Sequence, residues 1–266
     1  MFIRKIFRFI KRKIRVREYI IHYILNKKKT IFHNGIEITL CTPNEICDYR
    51  AREFSVKEPD TLEWIDSIGK DSVIWDIGAN VGVYSIYAAK RKNAKVWAFE
   101  PSFFNLEMLA RNINLNGLQD QIKILPLALN NRIGFSQMRH STISWGGALS
   151  TFEKDYGYDG KKLKEIFSYS TFGVNLDFIR KSSGIPFPDY IKLDVDGIEH
   201  LILEGGVRVL RKAKEILVEV NEGFEEQRSR SEKVLKKCGF KLKSKGEYHD
   251  PSIRLVNQIW KKAKKR

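Results

Sequence analysis

Beyond residue 71 the chain repeats one pattern: a short, nearly continuous apolar run, a turn, then a stretch in which apolar residues recur at helical spacing. The runs predict strands at Ser72–Ile77, Lys95–Phe99, Ile122–Leu127, Tyr190–Val195, Glu215–Val220, Phe240–Ser244 and Leu255–Trp260. The amphipathic stretches predict helices at Val81–Arg91, Phe103–Asn114, Ile198–Leu210 and Glu225–Cys238. A run such as Val73-Ile74-Trp75 leaves neither face polar, as in a strand covered on both sides of a mainly parallel sheet. Strands joined through helices in this way predict an α/β, doubly wound, Rossmann-like domain over 71–266, with a seven-stranded, mainly parallel sheet flanked by helices.

The pattern breaks from about 131 to 184, where Gly146, Gly147, Gly157, Gly160 and Gly173 accompany Trp145, Phe152, Tyr156, Tyr158 and Tyr169. This stretch reads as an irregular aromatic insertion that walls a substrate site. Upstream, residues 30–70 read as a cover, with β-like stretches at Thr30–His33 and Ile36–Cys41 and a helix at Thr61–Ile68. Asp60 and Glu63 have capping-box spacing before that helix. Residues 1–29 stand apart: Phe2, Ile3, Ile6, Phe7, Ile10 and Ile14 fall at helical spacing with Arg and Lys between them.

Charge sharpens this division. The 266 residues carry 48 Lys+Arg against 32 Asp+Glu, a net charge of +16. Eleven of the first 29 residues are basic and only Glu18 is acidic, while five of the last six are basic. Residues 30–260 are left near +1, so the basicity sits at two ends and not in a groove. The N-terminal pattern suits an anionic membrane surface, where each basic residue contributes on the order of 1 kcal/mol. It equally suits docking on the protein's own body or on a partner protein, and less well a nucleic acid. A hydrophobic content of 42% is enough for a core and excludes wholesale disorder. The apolar stretch Tyr19 to Leu25 is interrupted by His22 and is too short to span a bilayer, and the basic Met1 to Arg17 is unlike a secretory signal. The expected location is cytoplasmic, with a peripheral place at the inner membrane face if the N-terminal helix meets lipid. Cys41, Cys47 and Cys238 lack C-x-x-C spacing and are expected to be reduced and structural.

The candidate chemistry begins at Asp76-Ile77-Gly78-Ala79-Asn80-Val81-Gly82, which follows a predicted strand and opens a predicted helix. Glycines there let the backbone approach a ligand, and the helix start presents free N–H groups. The loop departs from G-x-G-x-x-G, because Asn80 and Val83 replace the second and third glycines, so a pyrophosphate is not expected. Glu100 ends the next strand 22 residues beyond Gly78, where a carboxylate can accept both hydroxyls of a ribose. Asp76, at the end of the first strand, has the charge to hold an ammonium group. A ribose joined to an amino acid describes S-adenosylmethionine.

The loop, Phe99-Glu100-Pro101, Leu127-Ala128-Leu129 and Ile191-Lys192-Leu193-Asp194-Val195-Asp196-Gly197-Ile198-Glu199 together resemble the successive motifs of the FkbM family of S-adenosylmethionine-dependent methyltransferases. The family's last block is K-[IL]-D-[VI]-E-G-x-E, and Asp196 stands where it has its first Glu. Glu58-Pro59-Asp60-Thr61-Leu62-Glu63-Trp64 and Asn257-Gln258-Ile259-Trp260 are also similar, so the likeness runs from about 55 to 260. The resemblance implies a class I methyltransferase fold acting on a hydroxyl of a sugar, glycan, lipid or secondary metabolite. It implies that Asp76, Gly78 and Gly82 contact the methionine part, Glu100 the ribose and Leu127-Ala128 the adenine. With Asn80, Pro101 and Asp194 these make up the expected cofactor-binding set.

A sugar hydroxyl is a poor nucleophile, so a base or a divalent metal must weaken its hold on the proton. Asp194 ends a strand at the sheet edge where ligands collect, and Glu219 and Asn221 end the next. Asp194 is expected nearest the acceptor, with Glu219 next and Glu199 a third catalytic candidate. Glu199 suits a structural role as well, capping the helix or pairing with Lys192. His200 has a suitable pKa but lies inside the predicted helix. Carboxylates could hold Mg²⁺, yet no metal-specific spacing exists, so no metal ligands are expected. The expected function is therefore an O-methyltransferase of a sugar, glycan or lipid-linked saccharide. One rival, a tRNA or rRNA methyltransferase, lacks the Asn/Asp-Pro-Pro-aromatic group that base amino methylation uses, because Asp194-Val195-Asp196-Gly197 occupies its place. The other, a catalytically silent cofactor-binding module, fits poorly with carboxylates kept at both strand ends.

Overall fold

A computed structural model describes residues 16–248 and 253–262; the amphipathic stretch from Phe2 to Arg15 lies outside the described residues. Residues 16–25 are helical (α1) and lead into a hairpin of β1 (Lys28–His33) and β2 (Ile36–Cys41). Next comes α2 (Glu45–Arg52), a helix that hydropathy alone does not predict; Asn44 caps it by accepting the Cys47 N–H. The following helix, α3 (Pro59–Ser67), begins two residues earlier than expected and has no capping box. Glu58 is its N-cap, Pro59 fills the first turn, and the Asp60 carboxylate accepts the adjacent Thr61 N–H.

β3 (Val73–Ile77), α4 (Val83–Lys92), β4 (Lys95–Phe99), α5 (Phe103–Leu115) and β5 (Ile122–Leu125) follow the predicted alternation. β5 stops before Pro126, which has no N–H for a ladder, and the chain then enters a second sheet. Here the expectation of an irregular insertion is corrected. Residues from 128 to 174 form a four-stranded sheet, order β6-β9-β7-β8, from β6 (Ala128–Leu129), β7 (Gly134–His140), β8 (Ser150–Phe152) and β9 (Phe167–Val174). Its inward residues Leu129, Met138, Phe152 and Val174 join the main core, which is why these strands do not alternate like the others. α6 (Leu176–Ser183) then leads to β10 (Tyr190–Leu193).

The helix expected over Ile198–Leu210 is broken into α7 (Glu199–Glu204) and α8 (Val207–Leu210). A Cβ on Gly205 would lie 2.6 Å from the Asn130 carbonyl oxygen, so only glycine lets the β6–β7 connection pass here. β11 (Glu215–Asn221), α9 (Glu225–Lys237), β12 (Phe240–Lys245) and β13 (Leu255–Lys262) complete the chain.

The large sheet has the order β12-β13-β11-β10-β3-β4-β5. The five strands from β11 to β5 run parallel, and β13 is inserted antiparallel between β11 and β12. Successive residues serve opposite cores: Ile74 packs with Ile86, Val96 and Leu109 on one face, and Trp75 with Ile191, Leu193 and Leu201 on the other. Burying each such aliphatic side chain contributes roughly 1.5–3 kcal/mol. The β1–β2 hairpin and α3 cover the first face, adding Ile38, Leu40, Leu62 and Trp64 to its core. Among the described residues no helix is long and apolar enough to cross a membrane, and the three cysteines are free and buried.

Candidate active site

Strand order reverses between β3 and β10, because the chain leaves β3 toward β4 and β5 but leaves β10 toward β11. The loops at their carboxyl ends therefore diverge and leave a crevice. A cavity of about 410 Å³ occupies this place. Gly78, Asn80, Glu100, Pro101, Leu127, Ala128, Asp194 and Glu219 all line it, whereas Asp76, Gly82 and Glu199 do not.

The β3–α4 loop turns on backbone geometry. Gly78 has φ +83°, and a Cβ there would sit 1.8 Å from the Asp194 carbonyl oxygen, so the two strand ends touch only because this residue has no side chain. The N–H groups of Gly78 and Ala79 both donate to the Phe99 carbonyl at 3.0 Å, binding the loop to the end of β4. Glu100 accepts the Asn80 N–H at one carboxylate oxygen and the Ser102 N–H at the other, each at 2.8 Å. Burial pushes its carboxyl up to about 7 against the pull of these two amides. Asp76 lies behind the loop, where the Ser85 hydroxyl donates to it at 2.5 Å; burial raises its pKa although Lys192 opposes this. Asn80 leaves a buried side-chain oxygen without a hydrogen-bond partner among the described residues, while its amide donates to the Gly147 carbonyl.

At the other end of the cavity the chemistry belongs to side chains. The buried Lys192 ammonium donates to Asp194 at 2.8 Å and lies 5.2 Å from the centre of the Tyr84 ring. Burial alone would raise Asp194, but Lys192 holds it below the usual carboxylate range, and the surrounding acids raise Lys192 in turn. Glu219 shares a hydrogen bond with Asp194 and is pushed well above its ordinary value by burial and by that neighbouring charge. A proton held by the pair therefore resides on Glu219 and not on Asp194. Glu58 arrives from the N-terminal cover, hydrogen-bonded to Tyr84 and to the Thr61 hydroxyl, and Arg50 and Lys57 also face the cavity.

Glu199 is fully buried and works on the loop behind Asp194. It accepts the N–H groups of Val195 at 3.0 Å and Gly197 at 3.1 Å, and the Gln227 amide, with its carboxyl pushed up to about 7 by burial. Lys192 pairs with Asp194 and not with Glu199. Asp196, in the left-handed region at φ 62°, accepts the Leu149 and Ser150 N–H groups and so ties the β10 loop to the second sheet; burial and Asp194 raise it to about 6. His200 is buried against Phe224 away from the cavity, with neither ring nitrogen hydrogen-bonded among the described residues, and burial lowers it to about 4. No group of three or more His, Cys, Asp or Glu side chains is arranged to hold a metal ion among the described residues.

Hydropathy and spacing miss Tyr84 and Glu58 as site residues. One signal for Lys192 was available: an ammonium inside Ile191-Lys192-Leu193 must be buried, and a buried ammonium needs acids around it.

Residues 76–242 match the Methyltransferase FkbM domain. Hexuronic acid methyltransferase AglP of Haloferax volcanii is 24% identical over 162 residues, covering 60% of this chain and 61% of that protein. Methyltransferase sdnD of Sordaria araneosa is 28% identical over 163 residues, covering 53% of this chain and 62% of that protein. The chain thus spans about three fifths of the length of these two relatives. Among solved structures, a SAM dependent methyltransferase from Agrobacterium tumefaciens shares the fold with a TM-score of 0.50 at 11% identity, covering 89% of this chain and 71% of that one.

Proposed function

Because the chain belongs to the FkbM methyltransferase family, we propose that it transfers a methyl group from S-adenosylmethionine to a hydroxyl of a sugar, free or within a glycan or lipid-linked saccharide. The observation that carries this reading is the position of Asp194. Its carbonyl abuts Gly78 of the glycine loop while its carboxylate, held ionised by Lys192, lines the same cavity.

The residues suit the cofactor. Gly78 lines the cavity and lets its loop close against β10, Asn80 brings an unpaired oxygen, Glu100 stands where ribose hydroxyls can donate to it, and Leu127 and Ala128 offer apolar surface to a base. S-adenosylmethionine, when bound, would supply an electrophilic methyl on a sulfonium, whose S–C bond breaks as the O–C bond forms and whose sulfur leaves as a neutral thioether. Asp194 accepts the hydrogen bond of the acceptor hydroxyl and takes its proton as the new O–C bond forms. The low basicity of Asp194 is sufficient, because the proton becomes strongly acidic once that oxygen carries a third substituent. Glu219, protonated, donates to Asp194 and keeps a second negative charge away from the reacting atoms. Glu199 and Asp196 hold the β10 loop through its amides and so fix where Asp194 points. The acceptor of AglP is a hexuronic acid, and Arg50 and Lys57 supply the positive charge that a hexuronate carboxylate would meet.

Asp194→Asn tests the assignment. Methyl transfer from labelled S-adenosylmethionine to hexuronates, neutral oligosaccharides and lipid-linked saccharides should fall by roughly 10²–10⁴-fold. Cofactor affinity by calorimetry should stay within about threefold of wild type, because the carbonyl beside Gly78 remains. Undiminished transfer by the variant, or wild-type transfer confined to nucleic acid, would overturn the proposal.

A further inference from the structure

Every residue from 16 to 28 is exposed, and seven of the ten residues from 16 to 25 are large and apolar, among them Tyr19 at 72%, Ile21 at 56% and Tyr23 at 66% exposure. So dense an apolar surface on a soluble body marks an interaction site. The charge around it selects the occupant. Arg17 lies within the segment, Lys27, Lys28 and Lys29 follow it, and residues 4–15 carry seven more basic residues. A second copy of this helix would bring two such clusters together, whereas anionic headgroups would neutralise them.

We propose that α1 seats the protein on an anionic bilayer surface, with its apolar side chains in the headgroup–acyl boundary and the flanking cations among the phosphates. Arg17, Glu18 and His22 within residues 16–25, and Lys27 to Lys29 after them, favour the interface over the hydrocarbon core, so this segment lies on the membrane surface. Only Asn26 and Lys27 separate α1 from β1, and both are tied. The Asn26 N–H donates to the His22 carbonyl at 3.0 Å, and the Lys27 carbonyl accepts the Thr42 N–H at 2.7 Å. The body is therefore held beside the surface on a short, stiff joint. This assignment stands independently of the reaction catalysed.

Flotation of the full chain with phosphatidylcholine vesicles, with and without phosphatidylglycerol, tests it. Partition into the anionic vesicles should exceed that into the neutral ones by at least about tenfold, and added salt should weaken it. The double variant Ile20→Glu/Ile24→Glu should lose most of the binding, and Arg17→Gln/Lys27→Gln/Lys28→Gln should lose roughly a hundredfold. Both variants should melt as the wild type does, since all five residues are exposed. Absence of binding to either vesicle, or equal binding by wild type and both variants, overturns the proposal. So does a concentration-dependent dimer in sedimentation that Ile20→Glu/Ile24→Glu dissolves while no vesicle is bound.

Discussion

At the ends of β3 and β4 the cavity is shaped by backbone, whereas at the ends of β10 and β11 it is shaped by charged side chains. In the first half, Gly78 turns with positive φ against the Asp194 carbonyl, and the Glu100 carboxylate is occupied by two main-chain amides. In the second half, Lys192, Asp194, Glu219, Glu58 and Tyr84 arrive from five separate elements or connections and set one another's protonation. A site assembled from backbone is sensitive to any added atom. A site assembled from charges is sensitive to the loss of any one partner.

Gly78→Ala should break the comparison most sharply, because its Cβ would strike the Asp194 carbonyl and disturb both halves at once. Cofactor affinity by calorimetry should drop by more than about a hundredfold, with a lowered melting temperature. Unchanged binding would mean that the loop does not approach the ligand.

Lys192→Met removes one charge from the second half and keeps the stem length. The carboxylates it leaves are buried, so unfolding free energy in denaturant titrations should fall by roughly 3–5 kcal/mol. Without the ammonium, the Asp194 pKa rises, so the acid limb of the rate profile should move to higher pH. An unmoved limb would separate Asp194 from the proton.

Glu100→Ala acts on the first half alone. It should weaken cofactor binding by about 10–100-fold while leaving the rate at saturating cofactor within about threefold. In the wild type burial pushes the same carboxyl up to about 7, and its protonated form is a poorer acceptor for the ribose hydroxyls of the proposed cofactor. Affinity should therefore weaken as pH falls through 7, and the variant should show a shallower dependence across that range.

His200 lies outside both halves and serves as the control. Its pKa is near 4 when folded against an ordinary 6.5, so between these values the unfolded chain binds a proton that the folded one refuses. Its contribution to stability is complete above pH 6.5 and is lost as pH falls toward 4. His200→Phe should flatten this part of the stability profile by on the order of 2 kcal/mol without altering transfer.

The two halves also differ in how far they can be read from the chain. Gly78, Asn80, Glu100 and Pro101 sit in two short motifs at consecutive strand ends, so strand order alone brings them together. Asp194 and Glu219 were legible for a similar reason, Asp194 following the strand at the reversal point and Glu219 lying near the end of the next parallel strand. Asp76 and Glu199 belong to the same motifs, yet the fold turns them behind the cavity lining, because a motif specifies spacing along a strand and not the direction of every carboxylate.

Hydropathy and charge along the chain determined the strands of the main sheet, the helices α4, α5 and α9 and the segregation of basic residues at the two ends, because apolar periodicity and net charge are sums over neighbours in the chain. Only the tertiary structure decided that Glu58 and Tyr84 would meet Lys192, that Lys192 would choose Asp194 over Glu199, and that residues 128 to 174 would form a second sheet on the main core. It alone decided that residues 16–25 would be exposed. These outcomes depend on contacts between distant residues, on burial and on charges closing at a few ångströms, and those quantities do not exist until the chain has folded.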